Sequence, residues 1–269
     1  MAHDPEAVPV VMVFAGNDPA GGAGLAADTE AIASMGCHTA PVVTAITVQD
    51  TSNVQDFQAV GADWVVSQAR AVLEDMPVAC FKLGMLGSVE NIEAVHTILR
   101  DYPDIPVVTD PVLFAGGGGD LAERDVPDAL RSLIFPQTTL LTPNAPEARA
   151  LAPAADTLDA CAHQLMSDGC EFVLVTGADE PSEQVTNSLF GNERLLERFT
   201  WDRLPHTYHG SGCTLASAIA GLLAQASEPR SAVHEAQAYV QEALAHGYRI
   251  GMGQHVPNRL FWADGDDDE

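Results

Sequence analysis

The chain has 269 residues, 46% of them apolar, with 38 acidic against 12 basic residues and a formal charge of −26. That is enough apolar chain for a large core, expected as a single domain over residues 1–263 followed by an acidic tail at 264–269. The charge argues against nucleic acid or an anionic membrane as a partner, since either would need a basic face to bind.

The apolar, β-branched run Val8–Ala15 predicts a buried strand. It leads into Gly16-Asn17-Asp18-Pro19-Ala20-Gly21-Gly22-Ala23-Gly24 and then a helix over Asp28–Met35, closed by Gly36. Strand, glycine turn and helix open many nucleotide-binding folds. The spacing is neither G-x-G-x-x-G nor G-x-x-x-x-G-K-[ST], which excludes a dinucleotide fingerprint and a Walker A loop. Further strands are expected at His38–Thr47, Cys80–Leu83, Pro106–Thr109, Thr139–Thr142 and Phe172–Thr176. Helices are expected at Gly61–Asp75, Asn91–Tyr102, Val126–Ile134, Ala145–Leu151, Asp159–Asp168, Cys213–Gln225 and Ala232–Gly247. Gln184–Trp201 instead predicts an antiparallel pair around Gly191-Asn192. The alternation implies a mostly parallel sheet covered by helices on both faces, with ligands beyond the carboxyl ends of the strands.

The segments at those ends carry the chemistry. Gly210-Ser211-Gly212-Cys213 precedes a charge-free apolar stretch, so its amides face the start of a buried helix and form an anion cradle. A thiol in that position is expected to be more acidic than a free cysteine. The simpler alternative is a glycine turn beside a small buried cysteine. Asn144 and Glu147 have the spacing of a capping box, which would also fix the Glu147 carboxylate. Asp28 reads equally as an acid in the first turn of a helix, and Met85 as plain core. The five cysteines (37, 80, 161, 170 and 213) form no C-x-x-C pair, residues 1–6 lack a basic leader segment, and no apolar run has membrane-spanning length. A reduced cytoplasmic protein without a zinc site is therefore expected.

Five blocks occur in one order: residues 16–24, Thr44-Ala45-Ile46-Thr47-Val48-Gln49-Asp50-Thr51, Lys82-Leu83-Gly84-Met85-Leu86, Thr142-Pro143-Asn144-Ala145-Pro146-Glu147-Ala148 and His209-Gly210-Ser211-Gly212-Cys213-Thr214. Together they resemble the hydroxymethylpyrimidine/phosphomethylpyrimidine kinases of thiamine biosynthesis, in the ribokinase-like superfamily. The resemblance implies a three-layer α/β/α sandwich, ATP and Mg²⁺, a homodimer, and two successive phosphorylations of 4-amino-5-hydroxymethyl-2-methylpyrimidine. It implies that Gln49 reads the pyrimidine edge, that Gly16 and Asp28 help hold the substrate, and that Met85 and Val112 form an apolar wall. It further implies Asp110 and Glu147 at the metal, Asn144, Thr176 and Gly177 at the nucleotide phosphates, and Cys213 as base within the Gly210–Ser211–Gly212 turn. Two departures stand out. Thr176 lies where better-known members carry a phosphate-site lysine, and residues 115–119 lack the usual polar sequence.

Pyridoxal or pyridoxine kinase activity, and a catalytically weakened pyrimidine- or nucleotide-binding protein, are the alternatives. The carboxylate excess with a single lysine, Lys82, also predicts adaptation to high salt, against the plainer reading of an acidic protein from ordinary salt. Near 1 M salt the Debye length falls to about 3 Å, which screens the self-repulsion. Melting temperature and activity should therefore rise from low to molar salt; a flat or falling response would remove the idea.

Overall fold

The computed structural model describes residues 8–114 and 125–263. The glycine run at 115–119 and the tail at 264–269 lie outside the described residues.

The chain begins with β1 (Val10–Asn17), whose side chains are apolar on both sides. Met12 and Phe14 enter one hydrophobic cluster, while Val11, Val13 and Ala15 enter another. A strand buried on both faces belongs at the centre of a parallel sheet. It is flanked by the parallel strands β2 (His38–Gln49) and β4 (Val78–Leu83). β5 (Val107–Thr109), β6 (Leu140–Leu141) and β7 (Phe172–Val175) continue the parallel run. With β3 (Val54–Ala59), β8 (Gln184–Gly191) and β9 (Arg194–Asp202), the described residues form one sheet in the order β3-β2-β1-β4-β5-β6-β7-β8-β9.

One face of the sheet is covered by α2 (Ala62–Leu73), α3 (Val89–Asp101), α4 (Val126–Ala129), α5 (Ala145–Leu151) and α6 (Leu158–Ser167). The other is covered by α1 (Gly24–Ser34), α7 (Ser211–Ala224) and α8 (Pro229–Ala245). The expected α/β/α layering and mostly parallel sheet are present. Local chemistry explains several boundaries. Asn144 and Glu147 form both bonds of a capping box at the start of α5, at 2.8 and 3.0 Å. Ser88 and Thr157 cap α3 and α6. The hairpin β8–β9 turns through Asn192 and Glu193, at φ 51° and 56°, backbone values that match the right-handed twist of the strands.

Three differences from the sequence reading matter for the site. β3 was not expected; it is an edge strand with the polar sequence VQDFQA, and only Val54 and Phe57 pack, against Ala45 and Met85. α1 begins at Gly24 rather than at 28, so Asp28 sits in the second turn and faces inward. α7 begins at Ser211, two residues before Cys213, because Gly210 adopts φ 83° at its cap. Among the described residues no helix is long and apolar enough to cross a membrane.

Candidate active site

A cavity of about 260 Å³ opens at the carboxyl ends of the parallel strands. Each strand contributes residues at or just past its end: Gly16 from β1, Gln49 from β2, Met85 from β4, Asp110 and Val112 from β5, Asn144 and Glu147 from β6, Thr176 from β7. Gly210, Ser211, Gly212 and Cys213, at the start of α7, close the other wall. The fold thus gathers nearly all of the residues singled out in the sequence around one space.

Two do not reach it. Asp28 is fully buried behind the wall, where its Oδ1 accepts from Lys82 Nζ at 2.8 Å and from Ser217 Oγ at 2.6 Å. One carboxylate oxygen is thus bound within the protein, while the other, Oδ2, is buried without a hydrogen-bond partner, and neither lines the cavity. Gly177 lines a separate hollow, and its amide donates to Asn187 Oδ1 at 3.0 Å.

The sequence marks Lys82 only as a strand residue. It is fully buried, yet it is the one lysine or arginine among the cavity-lining residues described. Its ammonium lies 2.8 Å from Asp28 and 3.9 Å from Asp110 Oδ2. Burial opposes its charge, but the neighbouring carboxylates outweigh burial and hold its pKa above the ordinary lysine value. One ammonium does not neutralise the acids around it. Burial raises the pKa of Asp110, with Asp28 adding to it and Lys82 opposing it. Burial and the charge of Asp110 push Glu147 up to about 8. Two carboxyls forced upward by burial and crowding suit a divalent cation. No group of three or more His, Cys, Asp or Glu among the described residues forms a cage for one.

The expected acidity of Cys213 is not found. Burial, then the charge of Asp110, push the thiol up to about 12, against smaller opposing effects of Lys82 and the Gly24 backbone. The first turn of α7 supplies amides, but a helix N-terminus is worth roughly 0.3–1 kcal/mol, under one pKa unit, and burial exceeds it.

His209 and Asp18 also line the cavity and were not singled out. His209 Nε2 lies 2.8 Å from Asp18 Oδ2 and 2.8 Å from Gln49 Nε2. Burial opposes ionisation of Asp18, but His209 and the amides of Ala20 and Ala23 hold its pKa below the usual carboxylate value. The ionised Asp18 accepts the ring's Nε2–H and so fixes the ring, whose same nitrogen lies against the Gln49 amide. A Cβ on Gly22 would lie 2.2 Å from His209 Cδ2, so the first glycine turn makes room for the histidine of the last. Both residues sit inside the two glycine motifs, but only the fold brings positions 18 and 209 together.

A family model described as phosphomethylpyrimidine kinase matches residues 18–258. The chain is 36% identical over 251 residues to the hydroxymethylpyrimidine/phosphomethylpyrimidine kinase of Escherichia coli, covering 91% of this chain and 94% of that protein. It is 37% identical over 259 residues to the protein of that name from Mycobacterium tuberculosis, covering 94% of each. A thiamine biosynthesis bifunctional protein of Geobacter sulfurreducens is 36% identical over 259 residues; 94% of this chain spans 53% of that longer relative, about half of it. Among solved structures, Bacillus subtilis pyridoxal kinase with ADP superposes with a TM-score of 0.85 at 24% identity, covering 95% of this chain and 100% of that one. This likeness carries the ribokinase-like fold. A phosphomethylpyrimidine kinase from Clostridium difficile superposes with a TM-score of 0.76 at 29% identity, covering 88% of this chain and 100% of that one.

Removing the buried ammonium tests the charge arrangement directly. Lys82→Met should cost about 3–5 kcal/mol of stability in denaturant unfolding, because it strands the carboxyl of Asp28. Adding Asp28→Asn should recover part of the loss; an unchanged unfolding midpoint in the single variant would show that the pair does not hold the site.

Proposed function

The chain belongs to the phosphomethylpyrimidine kinase family, and from that membership we propose that it phosphorylates 4-amino-5-hydroxymethyl-2-methylpyrimidine, then the resulting monophosphate to the diphosphate, with ATP as donor, in thiamine biosynthesis. The observation that carries the reading is the meeting of an anion cradle, Ser211–Cys213, with Lys82, Asp110 and Glu147 around one cavity that also contains Gln49.

Phosphoryl transfer is mostly positioning and stabilisation of spreading charge. Gln49, beside His209, donates and accepts along the pyrimidine edge, and Met85 and Val112 supply the apolar wall. Gly16 leaves space at the ring. Asp28 acts indirectly, by holding Lys82. Asn144 and Thr176 meet the nucleotide phosphates, whereas Gly177 has its amide committed elsewhere. Asp110 and Glu147 are the residues that would hold Mg²⁺; bound to ATP, the ion neutralises charge on the phosphates during transfer. The amides following Gly210 hold the travelling phosphoryl group, with the Lys82 ammonium nearby. This ammonium, already paired with Asp28, leaves the charge that Thr176 lacks to the metal and the cradle amides. Cys213 takes the hydroxyl proton, but a thiol whose pKa is pushed up to about 12 is a scarce base at neutral pH.

Small molecules are the proposed partners, with neither nucleic acid nor membrane bound. A cytoplasmic location is supported by the cysteines, all free among the described residues. A homodimer is supported by Ile46 and Val48, exposed on β2 beside the edge strand β3. A single kinase domain over residues 1–263 is supported by the one sheet that joins β1 to β9. For pyridoxal as acceptor the support is a fold likeness at 24% identity, whereas relatives at 36–37% identity carry the pyrimidine name.

A coupled ADP-release assay with hydroxymethylpyrimidine, its phosphate and pyridoxal offered separately decides among these readings. ADP release is expected with both pyrimidines; release with pyridoxal alone, or with none, overturns the reading. In the same assay Cys213→Ala should retain measurable turnover, within the roughly 10²–10⁴-fold that a general base contributes. Gly210→Ala should remove nearly all of it, since its Cβ would lie 1.9 Å from the Gly22 carbonyl oxygen at φ +83°. Full activity in Cys213→Ala would eliminate the thiol as base.

A further inference from the structure

We propose that Arg259, in the segment after α8, is a positioning residue that locks the two glycine turns together and thereby aims the anion cradle; this rests on the kinase reading above. Arg259 lies one residue beyond the stretch matched by the family model, 18–258. It is 1% exposed, and it is among the largest fully buried side chains of the described residues.

Its guanidinium spans three separate elements. Nε donates to Thr214 Oγ1 at 2.9 Å, in the first turn of α7. Nη2 donates to the carbonyl oxygen of Gly22, in the turn after β1. Nη1 donates to Glu30 Oε2 at 3.0 Å, on α1. The contacted groups are themselves joined. Thr214 Oγ1 donates to the Gly210 carbonyl at 2.7 Å, and the Gly22 carbonyl oxygen is the atom that a Cβ on Gly210 would strike. The fork therefore bonds both sides of the place where the two glycine turns touch. The backbone of Arg259 is tied down as well. Its carbonyl accepts from Ser34 Oγ at 2.6 Å and from Tyr239 Oη at 2.8 Å.

None of these atoms belongs to a residue lining the cavity except Gly210. The effect on a ligand is thus indirect and has two parts. The rigid fork fixes the angle at which the amides of Ser211, Gly212 and Cys213 face the cavity. Its positive charge also sits behind that first turn, offset in part by its ion pair with Glu30, and what remains adds to the potential an incoming phosphate meets. A lysine cannot do the first of these, because its single nitrogen cannot reach three acceptors in fork geometry.

The test uses the full chain with Arg259→Lys, Thr214→Val and Thr214→Ser. Arg259→Lys and Thr214→Val should lower kcat about tenfold or more, with KM for the pyrimidine changed less than about twofold, since amides aimed at a transferring charge act in the transition state. Thr214→Ser, which keeps the hydroxyl, should stay near the unsubstituted enzyme. In calorimetry, the same two damaging variants should bind a non-hydrolysable ATP analogue more weakly relative to ADP, because only the terminal phosphate reaches the cradle. Variants with lowered melting temperature but unchanged kcat, KM and analogue-to-ADP ratio would show a merely structural arginine and overturn the proposal. Should Arg259→Lys fail to fold, the Thr214 pair still decides. If the unsubstituted chain releases no ADP with any acceptor, the kinase reading fails, while the analogue-to-ADP ratio still tests the arginine by itself.

Discussion

A single buried ammonium organises this protein. Lys82 occupies a central strand, where a charge is costly unless it is paired, and its position forces carboxyls to gather at the carboxyl end of the sheet. Asp28 reaches it from α1 and Asp110 from the end of β5. An ion pair this deep contributes little net stability, because desolvating both charges offsets much of their attraction. Its consequence is electrostatic. The acids exceed the one cation, Asp110 and Glu147 are held above ordinary carboxyl pKa values, and the site is left in need of further positive charge. The residues that build the sheet and those that would meet a metal–nucleotide complex are therefore one arrangement.

The second constraint is steric. The turn after β1 and the turn before α7 approach so closely that side chains are excluded at Gly22 and Gly210. The contact joins sequence positions nearly two hundred residues apart, and it puts His209 against Asp18 and Gln49 on one side and Arg259 against Gly22 and Thr214 on the other. Phosphoryl transfer demands positioning above all, and a rigid junction between two backbone turns meets that demand with little side-chain chemistry. The thiol of Cys213 fits this picture as a minor contributor. Its place in the first turn of α7 gives it a favourable dipole, yet the surrounding burial and the carboxylate of Asp110 dominate its ionisation.

Much of this was legible in the residues. β1 could be read because it is buried on both faces, which leaves an unbroken apolar run; β3 could not, because this edge strand buries no side chain fully and its polar residues carry no clear period. The capping box of α5 was readable because its partners are three residues apart. The hairpin turn at Asn192 was readable for the same local reason. The cavity-lining set was largely readable too, since open α/β sheets gather ligands beyond their strand ends and each such end has its own short motif.

What stayed hidden depends on pairs distant in sequence. Asp28 looked like a ligand-facing acid until its partner, 54 residues away, was in place, and Ser217 lies 189 residues from it. Lys82 read as an oddity of a strand, and Arg259 carried no motif at all. Local spacing and hydrophobic period determined the elements, the layering and the turns that face the cavity, because those follow from interactions a few residues long. Which acids are neutralised, how acidic the thiol is and which cation holds the cradle were decided only by the tertiary structure. Those properties are set by burial and by neighbouring charge, and neither exists until the chain has closed on itself.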